Sequence, residues 1–142
     1  MAKFKFVGFQ EQVEIPEGYE LLEVQESIPS NLNRETLFIL IGTSDGLSQW
    51  FYKVHTLDAR PGGKFLFDDD GLEPSVGRCT AVTIGREISL LGDSFGQVNI
   101  KISANDSGLQ IDITFAILTD KKGEMSSLYQ LLINQLKAKL QP

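Results

Sequence analysis

The side chains best suited to covalent chemistry in this 142-residue chain are its one histidine, His55, and its one cysteine, Cys79. A Cys–His pair activates the sulfur as a nucleophile when the two side chains lie within hydrogen-bonding distance. Both residues fall in predicted strands, so the pair forms only if those strands bring them together. A small buried thiol beside an unrelated strand histidine is the simpler interpretation, because a free cysteine commonly packs as a hydrophobic residue.

The acidic stretch Asp68-Asp69-Asp70-Gly71 is the clearest candidate for holding a cation. Calcium loops space their oxygen ligands along the chain and add a bidentate glutamate, whereas three adjacent carboxylates point in different directions. One histidine and one cysteine are also too few for a protein zinc site. We therefore interpret residues 68–71 as a solvated turn and predict no metal site, no cofactor and no catalytic residue.

Four polar side chains remain that could point into a pocket: His55, Arg60, Arg78 and Tyr129. An inward arginine could hold a ligand carboxylate or phosphate through two hydrogen bonds, whereas an outward one would solvate the sheet or pair with Asp58. We include Arg78 among the candidate ligand-binding residues. An enzymatic role would require at least one of the four to face inward.

The charge balance excludes two classes of partner. With 13 basic and 19 acidic side chains, the net charge of −6 repels phosphate backbones, so we expect no nucleic acid partner and no anionic membrane surface. The longest aliphatic or aromatic run, Leu37–Ile41, is far shorter than the roughly 20 residues that span a bilayer. The start of the chain lacks a signal-peptide pattern, and a single cysteine permits no internal disulfide. We expect a cytoplasmic protein.

Alternating apolar residues predict a mostly antiparallel β protein. The pattern is clearest at Leu109, Ile111, Ile113, Phe115 and Ile117, where every second residue is apolar, so one strand face is buried and the other is wet. A turn at residues 105–108 joins this strand to the one before it. The predicted strands are 19–28, 54–59, 64–67, 79–84, 88–91, 98–102 and 109–117.

The C-terminal part of the chain predicts one long helix. From Glu124 to Leu140 there is no glycine or proline, and Met125, Leu128 and Leu132 recur at helical spacing. Such a helix is roughly 25 Å long, and it must bury its apolar stripe against the concave face of the sheet. Residues 34–43 fit either a helix or a buried strand, whereas Ser44 is a candidate cap for a short helix.

Two local motifs resemble one family. Residues 58–67, DARPGGKFLF, resemble the D-x-R-x-G-G-x-(aromatic)-x-F segment of proteins similar to the C-terminal domain of the activator of heat-shock-protein ATPase. Residues 46–51, GLSQWF, resemble the L-x-x-W-F that ends the second short helix of that family. The resemblance spans about residues 20–140 and extends to the SRPBCC, or START-like, helix-grip superfamily, which includes START lipid-transfer domains, polyketide cyclases and birch-pollen-allergen-like proteins.

The resemblance implies an α+β helix-grip fold, in which a curved antiparallel sheet wraps round a long C-terminal helix. Two short helices follow the first family strand, so residues 34–43 become helical. Residues 19–142 then form the START-like domain. Residues 1–18 fall outside the resemblance, and we interpret them as an N-terminal extension that adds an edge strand; homodimerisation through them is left open. In that superfamily a cavity lies between the sheet and the long helix.

Three functions follow as expectations. The first is binding of a hydrophobic or lipid-like small molecule between the sheet and the C-terminal helix. The second is a co-chaperone-like protein-interaction module with no ligand, and the third is an enzyme similar to polyketide cyclases. The residues leave catalysis open but favour a binding protein. The candidate ligand-binding residues are Trp50, Phe51, Phe65, Phe67, Arg78, Ile100, Ile102, Ile111, Ile113, Phe115, Leu128 and Leu132.

Overall fold

A computed structural model of the protein describes residues 3–5 and 12–141. Residues 1–2 and 6–11 of the predicted N-terminal extension lie outside this part of the chain. The described elements are β1 (Lys3–Lys5), β2 (Gln12–Glu14), β3 (Glu20–Ser30), α1 (Arg34–Gly42), α2 (Ser44–Leu47), β4 (Lys53–Leu57), β5 (Lys64–Asp68), β6 (Ser75–Thr83), β7 (Glu87–Gly92), β8 (Gly96–Asn105), β9 (Gly108–Thr119) and α3 (Lys122–Leu140).

The strands form one large curved sheet and one small sheet. Seven strands pair antiparallel in the order β3-β9-β8-β7-β6-β5-β4, and β1 pairs with β2 alone in a two-stranded sheet. One face of the large sheet packs against the helices, so we call it the inner face and the opposite one the outer face. The predicted α+β arrangement of a curved antiparallel sheet round a long C-terminal helix is confirmed.

The inner face follows from the alternation seen in the sequence. In β8 and β9 the register places Ile100 opposite Ile113 and Ile102 opposite Ile111. Each of these side chains is at most 4% exposed, because they all project to the same side of paired strands. The alternating polar residues project outward, where Asp112 accepts hydrogen bonds from the hydroxyls of Ser27 and Ser103 at 2.7 and 2.6 Å.

The helix α3 packs on the inner face beside β3 and β9. Its apolar stripe is buried, whereas its opposite side, represented by Leu131 with 56% of its surface exposed, is open to solvent. The hydroxyl of Ser30 donates to the carbonyl oxygen of Leu140 at 3.3 Å, which ties the end of the helix to the end of β3. The buried residues of the stripe are Tyr129, Leu132, Ile133, Leu136 and Leu140.

Glu26 interrupts the apolar series of β3, and α3 explains its presence. The series Leu22, Val24 and Ile28 projects toward the inner face, and Glu26 lies in the same series. Its carboxylate forms an ion pair with the ammonium group of Lys137 in α3. A carboxylate at a partly covered sheet edge is tolerated because this partner compensates its lost hydration, so the pair fixes how α3 lies along β3.

Pro29 does not end β3, although the sequence predicts that it would. The strand runs to Ser30, and Pro29 stands opposite Gln110 of β9. Because β3 is an edge strand of the large sheet, only one of its two sides pairs with another strand of that sheet. A proline is tolerated there because an N–H on the unpaired side makes no ladder hydrogen bond.

The short helices confirm the helical assignment of residues 34–43 and place Trp50. In α1 the side chain of Asn33 accepts a hydrogen bond from the Thr36 amide at 2.8 Å. Thr43, rather than the predicted Ser44, caps α2. The indole Nε1 of Trp50 donates to the carbonyl oxygen of Leu40 at 3.0 Å, so the turn after α2 is joined to α1 inside the core.

The motif at residues 58–67 forms a tight turn that extends the pairing of β5 and β6. Gly62 has φ +82, a conformation that favours glycine. A Cβ on Gly63 would lie 1.9 Å from the carbonyl oxygen of Asp58. Beyond the turn, Gly62 donates to Cys79 and Cys79 donates to Gly63, both at 2.8 Å. These glycines therefore serve the fold.

The docking of α3 is tested by comparing two neighbouring leucines. We expect Leu132→Ala to lower the free energy of unfolding by about 2–5 kcal/mol, because the side chain is 2% exposed and its removal leaves a cavity. The control Leu131→Ala should change it by less than about 0.5 kcal/mol. Urea denaturation measures both, and equal effects would contradict the packing described.

Candidate functional site

The predicted ligand-binding residues form the packed interior, with two departures. Ten of them are at most 8% exposed. Leu128 is partly buried against this core, whereas Arg78 is exposed on β6. The structure therefore brings the apolar residues together and leaves Arg78 on the outer side. The ten are Trp50, Phe51, Phe65, Phe67, Ile100, Ile102, Ile111, Ile113, Phe115 and Leu132.

Aromatic rings fill one end of this interior. Phe65 and Phe67 stack with ring centroids 4.8 Å apart, and Phe95 meets Phe51 edge-on at 5.0 Å. Tyr52 packs on Phe67 at 5.3 Å. Phe51, one of the candidate ligand-binding residues, is therefore 8% exposed and lies inside a cluster of aromatic rings. The sequence signal had missed Phe95, because it lies in a turn between two strands.

The side chain of Tyr129 faces the interior, where both its ring and its hydroxyl already have partners. Its ring stacks on Phe115 with centroids 4.4 Å apart and planes 15° apart. Its hydroxyl donates to the carbonyl oxygen of Phe95 at 2.6 Å. Burial raises the pKa of Tyr129 far above its ordinary value, so the phenol stays protonated and acts as a donor that connects α3 to the β7–β8 turn.

The other polar candidates lie on exposed positions. The Arg60 guanidinium Nε donates to Asp58 Oδ2 at 2.7 Å, with 75% of the arginine side chain exposed. His55 Nε2 lies 2.9 Å from Asp68 Oδ1, also at the surface. A polyketide-cyclase-like site would need such groups to converge inside the fold, and the structure does not bring them together.

Cys79 is buried on the inner face, whereas His55 is exposed on a different strand. The thiol lies 3.5 Å from the carbonyl oxygen of Ala81, to which it donates. Burial raises the pKa of the Cys79 thiol above its ordinary value, so the nucleophilic thiolate is disfavoured. The two residues do not form a dyad.

The acidic turn binds hydroxyl groups of its own chain. Asp69 accepts a hydrogen bond from Ser75 at 2.6 Å and a second, short one from Ser94. These two hydrogen bonds lower the pKa of Asp69. Asp70 takes φ 74, a left-handed turn conformation. Among residues 3–5 and 12–141, no group of three or more His, Cys, Asp or Glu side chains is arranged to hold a metal ion.

The surface depressions lie away from the buried interior. A groove of about 390 Å³ lies between the end of β3, the β8–β9 turn and the end of α3, lined in part by Ser30, Leu109 and Leu140. A second groove of about 340 Å³ lies over β5, β6 and β7. We call it the outer groove; it is lined by Gly62, Lys64, Val76, Gly77, Arg78, Leu91, Gly92 and Asp93.

Two further depressions lie elsewhere on the surface. Residues 15–21 form a depression of about 490 Å³, and one of about 150 Å³ lies between α1 and Lys139. Each of the four depressions opens to solvent, and none is lined by the ten buried candidate residues. Within the described part of the chain, no helix is both long enough and apolar enough to cross a membrane.

The curved sheet, the short helices and the inward stripe of α3 define a protein of the helix-grip fold. The protein BH1534 of Bacillus halodurans shares it with TM-score 0.70 and 18% identity, over 84% of this chain and 96% of that one. An Aha1 dimer from Colwellia psychrerythraea matches with TM-score 0.63 and 14% identity, over 85% and 96%. Protein SA2116 of Staphylococcus aureus, of unknown function, matches with TM-score 0.63 and 16% identity, over 83% and 92%. No family model and no curated protein matches the sequence.

The state of Cys79 is tested by thiol labelling. We expect native protein to react with Ellman's reagent at pH 8 far more slowly than urea-unfolded protein, because the thiol is buried and its pKa is raised. His55→Ala should leave the native rate unchanged. A fast native reaction that depends on His55 would instead reveal an activated cysteine.

Proposed function

We propose that this chain is a protein-interaction module of the co-chaperone-like kind, which contacts its partner through the outer face of the sheet. The observation that supports this most directly is the filled inner face. Phe65, Phe67, Ile100, Ile113 and Phe115 each have 0% of their surface exposed. Interiors packed in this way leave few voids larger than a water molecule. We therefore assign the function to the surface of the protein.

Apolar side chains are exposed on the outer side of β6 and in the turns at its two ends. Val76 is 68% exposed, Ile84 is 73% exposed and Leu72, in the turn before β6, is fully exposed. Leu72 precedes β6 and Val76 lies at its start, whereas Ile84 follows its other end, so a partner at the start of β6 would cover Leu72 and Val76. Apolar residues exposed in one patch are typical of protein contact sites. A partner that covers them would remove apolar area from water, which is favourable at ~25 cal/mol per Å².

The resemblance to the activator of heat-shock-protein ATPase supports the same assignment. The fold is shared with an Aha1 dimer, and the two family-like motifs form the turn at residues 58–63 and the core around Trp50. We assign the interaction to a domain of residues 19–142, in the cytoplasm. Residues 1–18 are an extension through which a second copy could pair.

Binding of a hydrophobic or lipid-like molecule is our second candidate, and the groove at the end of α3 favours it. Its volume of about 390 Å³ falls within the usual range of ligand pockets. An apolar ligand would have to enter beside Leu109 and Leu140 and part α3 from the sheet. A stoichiometric lipid adduct in native mass spectrometry of the purified protein would support this candidate over the first.

Site-specific photo-crosslinking tests the interaction module. With p-benzoyl-phenylalanine replacing Val76, we expect one discrete protein adduct in cells, because this side chain is exposed on the proposed contact face. The matched control replaces Leu131, which is similarly exposed but lies on α3. Adducts of equal yield at both positions, or at neither, would contradict an outer-face interaction.

A further inference from the structure

The outer groove contains a pair of like charges that face each other. Lys64 of β5 is directly opposite Arg78 of β6, and Arg78 is directly opposite Leu91 of β7. Like charges directly opposite on neighbouring strands repel each other. Within residues 15–141, neither Lys64 nor Arg78 forms an ion pair. Two cations without an ion pair in that part of the chain therefore lie together in a protein whose net charge is −6.

The groove runs across the strands between two rows of outward side chains. Lys64, Arg78 and Leu91 form the first row. Val76 belongs to the second row. It is two residues before Arg78 on the same strand and therefore projects to the same side of the sheet. Between the rows lies Gly77, which stands opposite the buried Phe65 and adds no side chain to the outer face. The groove therefore has one cationic end and an apolar middle.

The remaining charges restrict how an occupant lies. Asp93 lines the groove beyond the apolar middle and would repel a carboxylate there. Asp58 follows β4 near Lys64, since its amide donates to the Lys64 carbonyl at 2.9 Å. Its carboxylate is already bound by Arg60 at 2.7 Å. A partner carboxylate is thus favoured at Lys64 and Arg78 and disfavoured at the opposite end.

From this arrangement we propose that the outer groove binds an extended acidic segment of a partner protein, with a carboxylate on Lys64 and Arg78 and an apolar side chain between Val76 and Leu91. The charge complementarity selects an acidic occupant over a basic or neutral one. Arg78 can take the carboxylate with two parallel hydrogen bonds, and Lys64 adds a point charge. This proposal rests on the proposed function, and it specifies that the partner segment is acidic.

Fluorescence anisotropy tests the proposal with a labelled peptide, Gly-Glu-Val-Glu-Leu-Glu-Gly. We expect wild-type protein to bind it, with affinity falling as salt is raised. Arg78→Ala and Lys64→Ala should each weaken binding by about tenfold. Arg78→Lys should weaken binding less than Arg78→Ala does, because lysine keeps the positive charge but lacks the forked guanidinium. The control Lys139→Ala removes an exposed charge outside the outer groove and should leave binding unchanged.

The outcomes separate this proposal from the function it rests on. Circular dichroism of each variant checks that the fold is retained. Equal binding by all variants, equal binding of the peptide with Gln in place of Glu, or no binding by the wild type would overturn the acidic-segment proposal. If the adduct at Val76 persists in that case, the interaction module stands with a partner of another chemistry; if that adduct is also absent, both fall.

Discussion

The apolar stripe of α3 can be removed from water only by the inner face of the sheet, and most of the structure is arranged around that contact. The C-terminal end of the helix is joined to the end of β3 by the Ser30 hydroxyl, which donates to Leu140. In the last turns of the helix, Lys137 also pairs with Glu26. Tyr129 adds a buried hydrogen bond to the β7–β8 turn. Polar contacts of this kind are worth about 1 kcal/mol each, so they orient the helix, and apolar burial supplies most of the stabilisation.

This packing also shapes where binding can occur. Aromatic side chains pack on one another at one end of the interior, in the cluster of Phe51, Phe65, Phe67 and Phe95. Among the described residues, the polar side chains of the outer face are paired over some strands and unpaired over others. Over β3, β8 and β9 its polar side chains satisfy one another, since Asp112 accepts from Ser27, Ser103 and Gln110. Over β5 and β6 the cations Lys64 and Arg78 lack such partners within residues 15–141, which is why the proposed contact lies there.

The sequence predicted the long elements because their hydrophobic periodicity is strong. Alternation identified β8 and β9, and helical spacing identified α3. Residues 34–43 have a composition that fits a strand, and only the family resemblance predicted α1, since tertiary packing overrides local propensity. The extent of β3 beyond Pro29 depends on its place at the sheet edge, which no local pattern reveals. The exposure of Arg78 and the role of Phe95 depend on the register between strands, which the sequence alone does not specify.

Native-state hydrogen exchange tests the central claim most directly, because it measures the opening free energy of α3 separately from that of the sheet. If α3 depends on the inner face and the inner face on α3, the slowest amides around Leu132 and Ile133 should open with the same free energy as those of Ile100 and Ile113, within about 1 kcal/mol. Exchange of the whole helix through an opening several kcal/mol cheaper than that of β8 and β9 would contradict the account, because the helix would then be an accessory to a sheet that folds without it.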